Sequence, residues 1–177
     1  MTDSRTWKDR LGNWVFGIPW VAQMWAKRAA QQTAQRLDQG EAIPWARLAK
    51  PLSQSTVALL TTGGIHLPSQ TPFDMADTDG DASYREIPGD VILADLVITH
   101  NYYNHTSADA DPQVIFPLDH FRDLVAKGVV GGIAPRHFGF MGHIEGVHME
   151  RLLNQTAPEV AAKLRADGVD FAFLTPA

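Results

Sequence analysis

The run Val57-Ala58-Leu59-Leu60-Thr61-Thr62-Gly63-Gly64-Ile65-His66 decides how this chain is read. Its first five residues are apolar or β-branched with no wet position among them, the pattern of a strand buried on both faces, and Gly63-Gly64 close it. Strands of that kind belong to parallel sheets with helices on each side. Outward from this run the elements alternate. Asp95 to Thr99 reads as a second strand, ending at His100. Pro117 to Lys127 reads as a helix with Leu118, Phe121, Leu124 and Val125 on one face and Gly128 as its stop. Val129 to Ala134 reads as a third strand, weakened by Gly131 and Gly132, and a short helix is expected near His148–Leu153. Thr156 is placed as the N-cap of a further helix, with Pro158 and Glu159 in its first turn and Gly168 after its end. Val169 to Leu174 is the final strand. The expectation is an α/β fold over residues 51–177, Rossmann-like, with a mainly parallel sheet and flanking helices.

Residues 1–50 differ in kind. All five tryptophans (Trp7, Trp14, Trp20, Trp25 and Trp45) lie there, and the segment carries eight Lys/Arg against four Asp/Glu. A helix is expected from Pro19 to about Leu37, with Val21, Met24 and Trp25 on one face. This tryptophan-rich arm either packs on the domain that follows or docks another subunit. Residues 67–111 hold nine Asp/Glu against Arg85 alone, which argues against a nucleic-acid surface. No apolar run approaches the roughly 20 residues that cross a bilayer, so neither membrane nor nucleic acid is expected as a partner, and the cytoplasm is the expected location. The chain has 177 residues and no cysteine, which removes disulfide frameworks, cysteine metal sites and thiol nucleophiles from these residues.

In open parallel sheets, ligands bind beyond the carboxyl ends of the strands. There the sequence places Gly63-Gly64-Ile65-His66, then Thr99-His100-Asn101-Tyr102-Tyr103-Asn104-His105, then Pro135-Arg136-His137-Phe138. Six of the seven histidines fall at or beyond a strand end, and His120 alone sits in a helix. His143-Ile-Glu-Gly-Val-His148 fails as a zincin helix, which needs histidines at i and i+4 with Glu directly after the first. A looser metal site from His100, His105, His137 or His143 stays open. Asp77, Asp79, Gly80, Asp81 and Glu86 imitate part of a calcium loop but lack its first ligand and flanking helices, so a solvated loop is the better reading. No G-x-S-x-G elbow, Walker loop or G-x-G-x-x-G is present.

Five segments taken in order resemble one family: 57–66, Tyr84-Arg-Glu-Ile-Pro-Gly-Asp90, Phe116-Pro-Leu-Asp-His-Phe-Arg-Asp-Leu-Val-Ala126, Ala134-Pro-Arg-His-Phe-Gly-Phe-Met-Gly142 and Gly168-Val-Asp-Phe-Ala-Phe-Leu-Thr-Pro-Ala177. They are similar to the selenoprotein B family of glycine/sarcosine/betaine and D-proline reductases, and most to the selenocysteine subunit of the D-proline branch. The resemblance implies reductive cleavage of a carbon–nitrogen bond in a small amino acid or amine-type substrate. It implies a selenolate nucleophile on this subunit and a pyruvoyl group on a partner subunit. A sheet lacking the family's later portion would expose an edge and a face, so self-association into a homo-oligomer is expected. The family's selenocysteine follows directly after the segment that looks like Val169–Ala177. The chain is therefore expected to be cut short just before it and to be inactive alone. An in-frame UGA after codon 177, followed by further coding sequence, would agree with that expectation, and a UAA would not.

Within that picture His66 and His100 are the candidate catalytic residues, as general acid or anion stabiliser on the sheet's rim. Arg136, Tyr102 and His137 are the candidate substrate-binding residues, Arg136 through bidentate hydrogen bonds to a carboxylate. Two other classes compete: a metal-dependent hydrolase or lyase using the histidine-rich rim, and a non-catalytic subunit docked through its tryptophan arm.

Overall fold

The computed structural model describes residues 18–21, 23–24, 27–28, 31, 46–101 and 103–176. Two compact units emerge: residues 1–47 with 101–104, and residues 48–100 with 105–177. In the first, the described residues from Pro19 to Gln31 are helical, Val21 is buried, and Trp20 and Met24 are exposed. Trp7, Trp14, Trp25 and Trp45 lie outside the described residues, as does Tyr102.

The second unit is built around strand β1 (Thr56–Thr61), which contains the apolar run Val57–Thr61. It pairs in parallel with three strands: β5 (Gly132–Ile133), β6 (Arg136–Phe140) and β7 (Phe171–Thr175). Val57 faces both Ile133 and Phe171, and Leu60 faces both Phe138 and Leu174. A strand has two sides, so β5 and β6 share one side of β1 and β7 takes the other. β3 (Tyr84–Pro88) adds to the far side of β6 in the antiparallel sense. A separate antiparallel ribbon joins β2 (Ile65–His66) to β4 (Val97–Ile98).

Helices close both faces. Val57 and Leu59 point into a cluster with Ile87, Phe116, Leu118 and Phe121, which brings in helix α2 (Leu118–Ala126). The short helix α1 (Thr106–Ala110) adds Ala108 to the same cluster. On the opposite face Phe138 and Phe140 pack with Val160, Leu164, Leu60 and Tyr84, which brings in helix α4 (Ala157–Ala166). Each such apolar side chain contributes on the order of 1.5–3 kcal/mol by leaving water. The parallel strands thus run in the order second, first, third, with successive crossovers on opposite faces. This is a mixed α/β fold with a mainly parallel central sheet and flanking helices. The carboxyl ends of β1, β6 and β7 share one edge.

Four sequence expectations move. The strand expected at Asp95–Thr99 shrinks to Val97–Ile98 and leaves the main sheet, because Leu93–Asp95 closes a 3-10 turn. The strand expected at Val129–Ala134 is displaced: only Gly132–Ile133 pairs, Ala134-Pro135 interrupts, and pairing resumes over Arg136–Phe140. The long polar stretch after Leu67 contains β3, an edge strand with one fully buried apolar position, Ile87, and Pro88 at its end. Thr156 is no N-cap. Helix α3 (Gly146–Arg151) continues through a π turn, Leu152–Thr156, into α4. Pro158 explains the widened turn: its ring crowds the carbonyl four residues back, and Ala157 N–H donates to Leu152 O, five residues back.

Candidate functional site at the carboxyl edge

Beyond β1, the Thr62-Gly63-Gly64 turn crosses over the end of β6. Thr62 N–H donates to Thr175 O at 3.1 Å, and Gly64 N–H donates to Phe140 O at 2.9 Å. Thr99 N–H in turn donates to Gly64 O at 2.9 Å, which seats the end of β4 against the turn. Gly64 has φ +69°, and a Cβ there would lie 2.5 Å from Thr99 O and 2.8 Å from His100 Cβ. Glycine is therefore required where His100 comes closest. The Thr175 hydroxyl closes the third side by donating to Ile115 O at 2.6 Å.

His100 is 5% exposed, and its Nε2 accepts the N–H of Gly142, just past β6, at 3.3 Å. Burial first, then the neighbouring His105 and His143, push its pKa down to about 4. It is a neutral imidazole with its proton on Nδ1. His66 is buried too, and both of its ring nitrogens are engaged. Nδ1–H donates to Leu67 O at 2.8 Å, so Nε2 accepts from the Thr99 hydroxyl at 2.8 Å. Burial lowers its pKa, and Phe73 packs edge-on against it at 5.8 Å. His66 ties β2 to β4, and His100 ties the end of β4 to the end of β6.

Arg136 and His137 stand elsewhere. The displaced strand puts them inside β6, Arg136 at its first residue, away from the carboxyl edge. Arg136 forms a two-bond fork with Asp167, at 2.6 and 2.8 Å, and reaches Glu86 at 2.9 Å, while Lys163 takes the other oxygen of Glu86 at 2.9 Å. These carboxylates, Asp167 first, hold the guanidinium charged, and Arg136 in return lowers the Asp167 pKa. His137 is fully buried, edge-on to Phe116. Its Nδ1 accepts the backbone N–H of Leu59 at 3.0 Å, and burial, then Arg122, push its pKa down to about 4.

One pair went unmarked in the sequence. His105 precedes α1 and donates from Nδ1 to Asp109 Oδ2 at 2.8 Å. The i, i+4 spacing in the Thr-Ser-Ala-Asp helix was the available signal. His143 donates to Thr78 O at 2.8 Å and His148 to Asp77 at 3.0 Å, so these two fasten the acidic loop to the start of α3. Among the described residues no three His, Cys, Asp or Glu gather as a metal site would need. Nor, among them, is any helix long and apolar enough to cross a membrane.

The family profile for glycine/sarcosine/betaine reductase selenoprotein B matches residues 22–177. The chain belongs to that selenoprotein B family. It is 36% identical over 131 residues to the D-proline reductase subunit gamma of Acetoanaerobium sticklandii, covering 74% of this chain and 52% of that protein. It is 29% identical over 153 residues to the betaine reductase complex component B subunit beta of Peptoclostridium acidaminophilum, covering 81% and 33%. Against the glycine reductase complex component B subunit gamma of Carboxydothermus hydrogenoformans the figure is 29%, covering 71% and 29%. This selenoprotein B chain thus spans about half the length of the first relative and a third or less of the others. No solved structure matches it.

Proposed function

We propose that this chain supplies the carboxyl-edge α/β portion of a reductase subunit that acts in a multi-subunit assembly on a small amino acid or amine, cleaving a carbon–nitrogen bond reductively. The observation that carries this is the 36% identity to a D-proline reductase subunit, alongside relatives named as components of glycine and betaine reductase complexes. Such an assembly would draw on a selenolate and on a partner subunit's pyruvoyl group, an electron sink. The 177 residues contain no cysteine, so nothing in them stands in for the selenolate.

The chain's own part is positional. The ends of β1, β4 and β6 are fixed to one another through Gly64, Thr99, His100 and Gly142. His66 and His100, kept neutral by burial, hold these strand ends together without adding cationic charge beside an ammonium substrate. A homo-oligomer and cytoplasmic location belong to the same proposal. The test is to purify the chain from its source through an N-terminal tag. Co-purification with a second subunit in an assembly that reduces D-proline, glycine, sarcosine or betaine supports the reading. A chain that elutes alone, and binds none of the four in calorimetry, overturns it.

A further inference from the structure

We propose that the outer edge of β7 is the contact between two copies of this chain, paired antiparallel across a two-fold axis at Phe173. The inference gives the homo-oligomer proposed above its surface, and it rests on that part of the reading alone. β7 pairs with β1 on one side, and among the described residues no strand pairs with its other side. Asp170 N–H donates to Thr56 O at 3.0 Å, so alternation along the ladder turns the N–H and C=O groups of Phe171 and Phe173 away from β1. The opposite edge of the sheet, β3, is closed from within the chain. Gln70 Nε2 donates to Glu86 O at 2.8 Å, and the Arg85 guanidinium donates to Thr71 O and Pro72 O at 2.7 and 3.1 Å. β3 also carries Arg85, Glu86 and Pro88, residue types that keep an edge from pairing, whereas Phe171-Ala172-Phe173-Leu174-Thr175 has no charge and no proline.

The strand is complementary to itself. With Phe173 opposite its own copy, the two exchange both backbone bonds, Leu174 faces Ala172, Phe171 faces Thr175 and Asp170 faces Pro176. Leu174 is 68% exposed and meets the smallest side chain of the strand, which leaves it room. On the other face Phe173, 40% exposed and 4.9 Å from Phe121 of α2, meets its copy and joins two such aromatic pairs into one cluster. A two-fold contact sets like charges near its axis against each other, so it needs a neutral strip. The chain has a net charge of −5, and β7 is such a strip. Asp170, the nearest acid in sequence, is held by Lys50 Nζ at 2.8 Å and Thr56 N–H at 2.9 Å, and it falls opposite Pro176 and not opposite a carboxylate. A five-residue strand contact is small beside the roughly 1,200–2,000 Å² of a standard interface, so the association is expected to depend on concentration.

The test is sedimentation of the 177-residue chain at rising concentration, with L174K and with single cysteines, which report cleanly because the sequence has none of its own. The wild type is expected to pass from monomer to dimer. L174K is expected to weaken that step by about tenfold or more with Tm little changed, because the side chain is exposed in the monomer. A172C mixed with L174C is expected to form a disulfide-linked pair, since facing residues at such a position lie about 4.5 Å apart between Cα atoms. Neither variant oxidised alone is expected to link, since each residue and its own copy stand diagonally, about 7–8 Å apart. A dimer that L174K leaves intact, or mixed cysteines that link no more than either alone, overturns the inference and leaves the homo-oligomer standing. So does L174C linking to a different subunit of the assembly in place of a second copy. A chain monomeric at every concentration overturns both the inference and the homo-oligomer, and leaves the reductase reading untouched.

Discussion

The backbone N–H of Leu59 in β1 donates to the Nδ1 of His137 in β6 at 3.0 Å. The need for it lies in the register. Between the pairs Val57–Ile133 and Leu60–Phe138, β1 advances three residues while its neighbour advances five. The Ala134-Pro135 interruption takes the neighbouring backbone out of reach of Leu59, and a side chain from the resumed strand replaces the missing carbonyl. His137→Phe keeps a ring against Phe116 but removes the acceptor. It is expected to cost about 1–3 kcal/mol in urea unfolding and to speed exchange of the Leu59 amide. Unchanged protection of that amide would show that the bond does not hold the sheet.

That bond also marks where the sequence misled. Val57–Thr61 was legible because five consecutive apolar or β-branched residues fit few environments other than a doubly covered strand. Helix α2 was legible from its periodic face and its Gly128 stop, which has φ +69°. Arg136 and His137 were read as rim residues because Pro135 looked like a strand end. The strand passes the proline by giving up regular pairing for two residues, which no local propensity reports. β3 was hidden because an edge strand with one dry face needs few apolar residues. His66 and His100 were singled out from their places after strands, and the structure buries both beside Thr99. The pairing of His105 with Asp109 was overlooked because α1 is only five residues long.

Acid should loosen the fold through two histidines. Those at 100 and 137 titrate at about 4 when folded, against about 6.5 for the free side chain. Between those values the unfolded chain binds more protons, so their contribution is complete above pH 6.5 and is lost as pH falls toward 4. Each is worth on the order of 3 kcal/mol across that window. Urea midpoints measured from pH 7 to 4 should fall, and the fall should shrink in a His137→Phe background. A midpoint independent of pH over that range would contradict the assignment of both rings as neutral.

Two glycines share a backbone angle but not surroundings. Gly64 and Gly128 both have φ +69°, yet a Cβ at 128 meets nothing within 4 Å, while one at 64 collides with Thr99 and His100. Gly128→Ala should cost about 1–2 kcal/mol, the backbone penalty alone. Gly64→Ala should cost clearly more and should shift the His100 ring resonances. Equal losses in denaturant unfolding would mean that the turn does not press on the site.

Arg136 is bound to carboxylates on two other elements, β3 through Glu86 and the end of α4 through Asp167. Arg136→Gln should lower Tm, since Asp167, kept ionised by that fork, loses its partner. In the assembly it should leave KM unchanged. A tenfold rise in KM at unchanged Tm would return Arg136 to the substrate site.

We propose that this chain works as one part of a reductase assembly and does not turn over by itself. Dithiol-dependent reduction of D-proline, followed for the purified 177-residue chain and for the assembly it co-purifies with, tests it most directly. Turnover by the assembly and none by the chain is the expected result. Reduction of D-proline by the chain without a partner would contradict it.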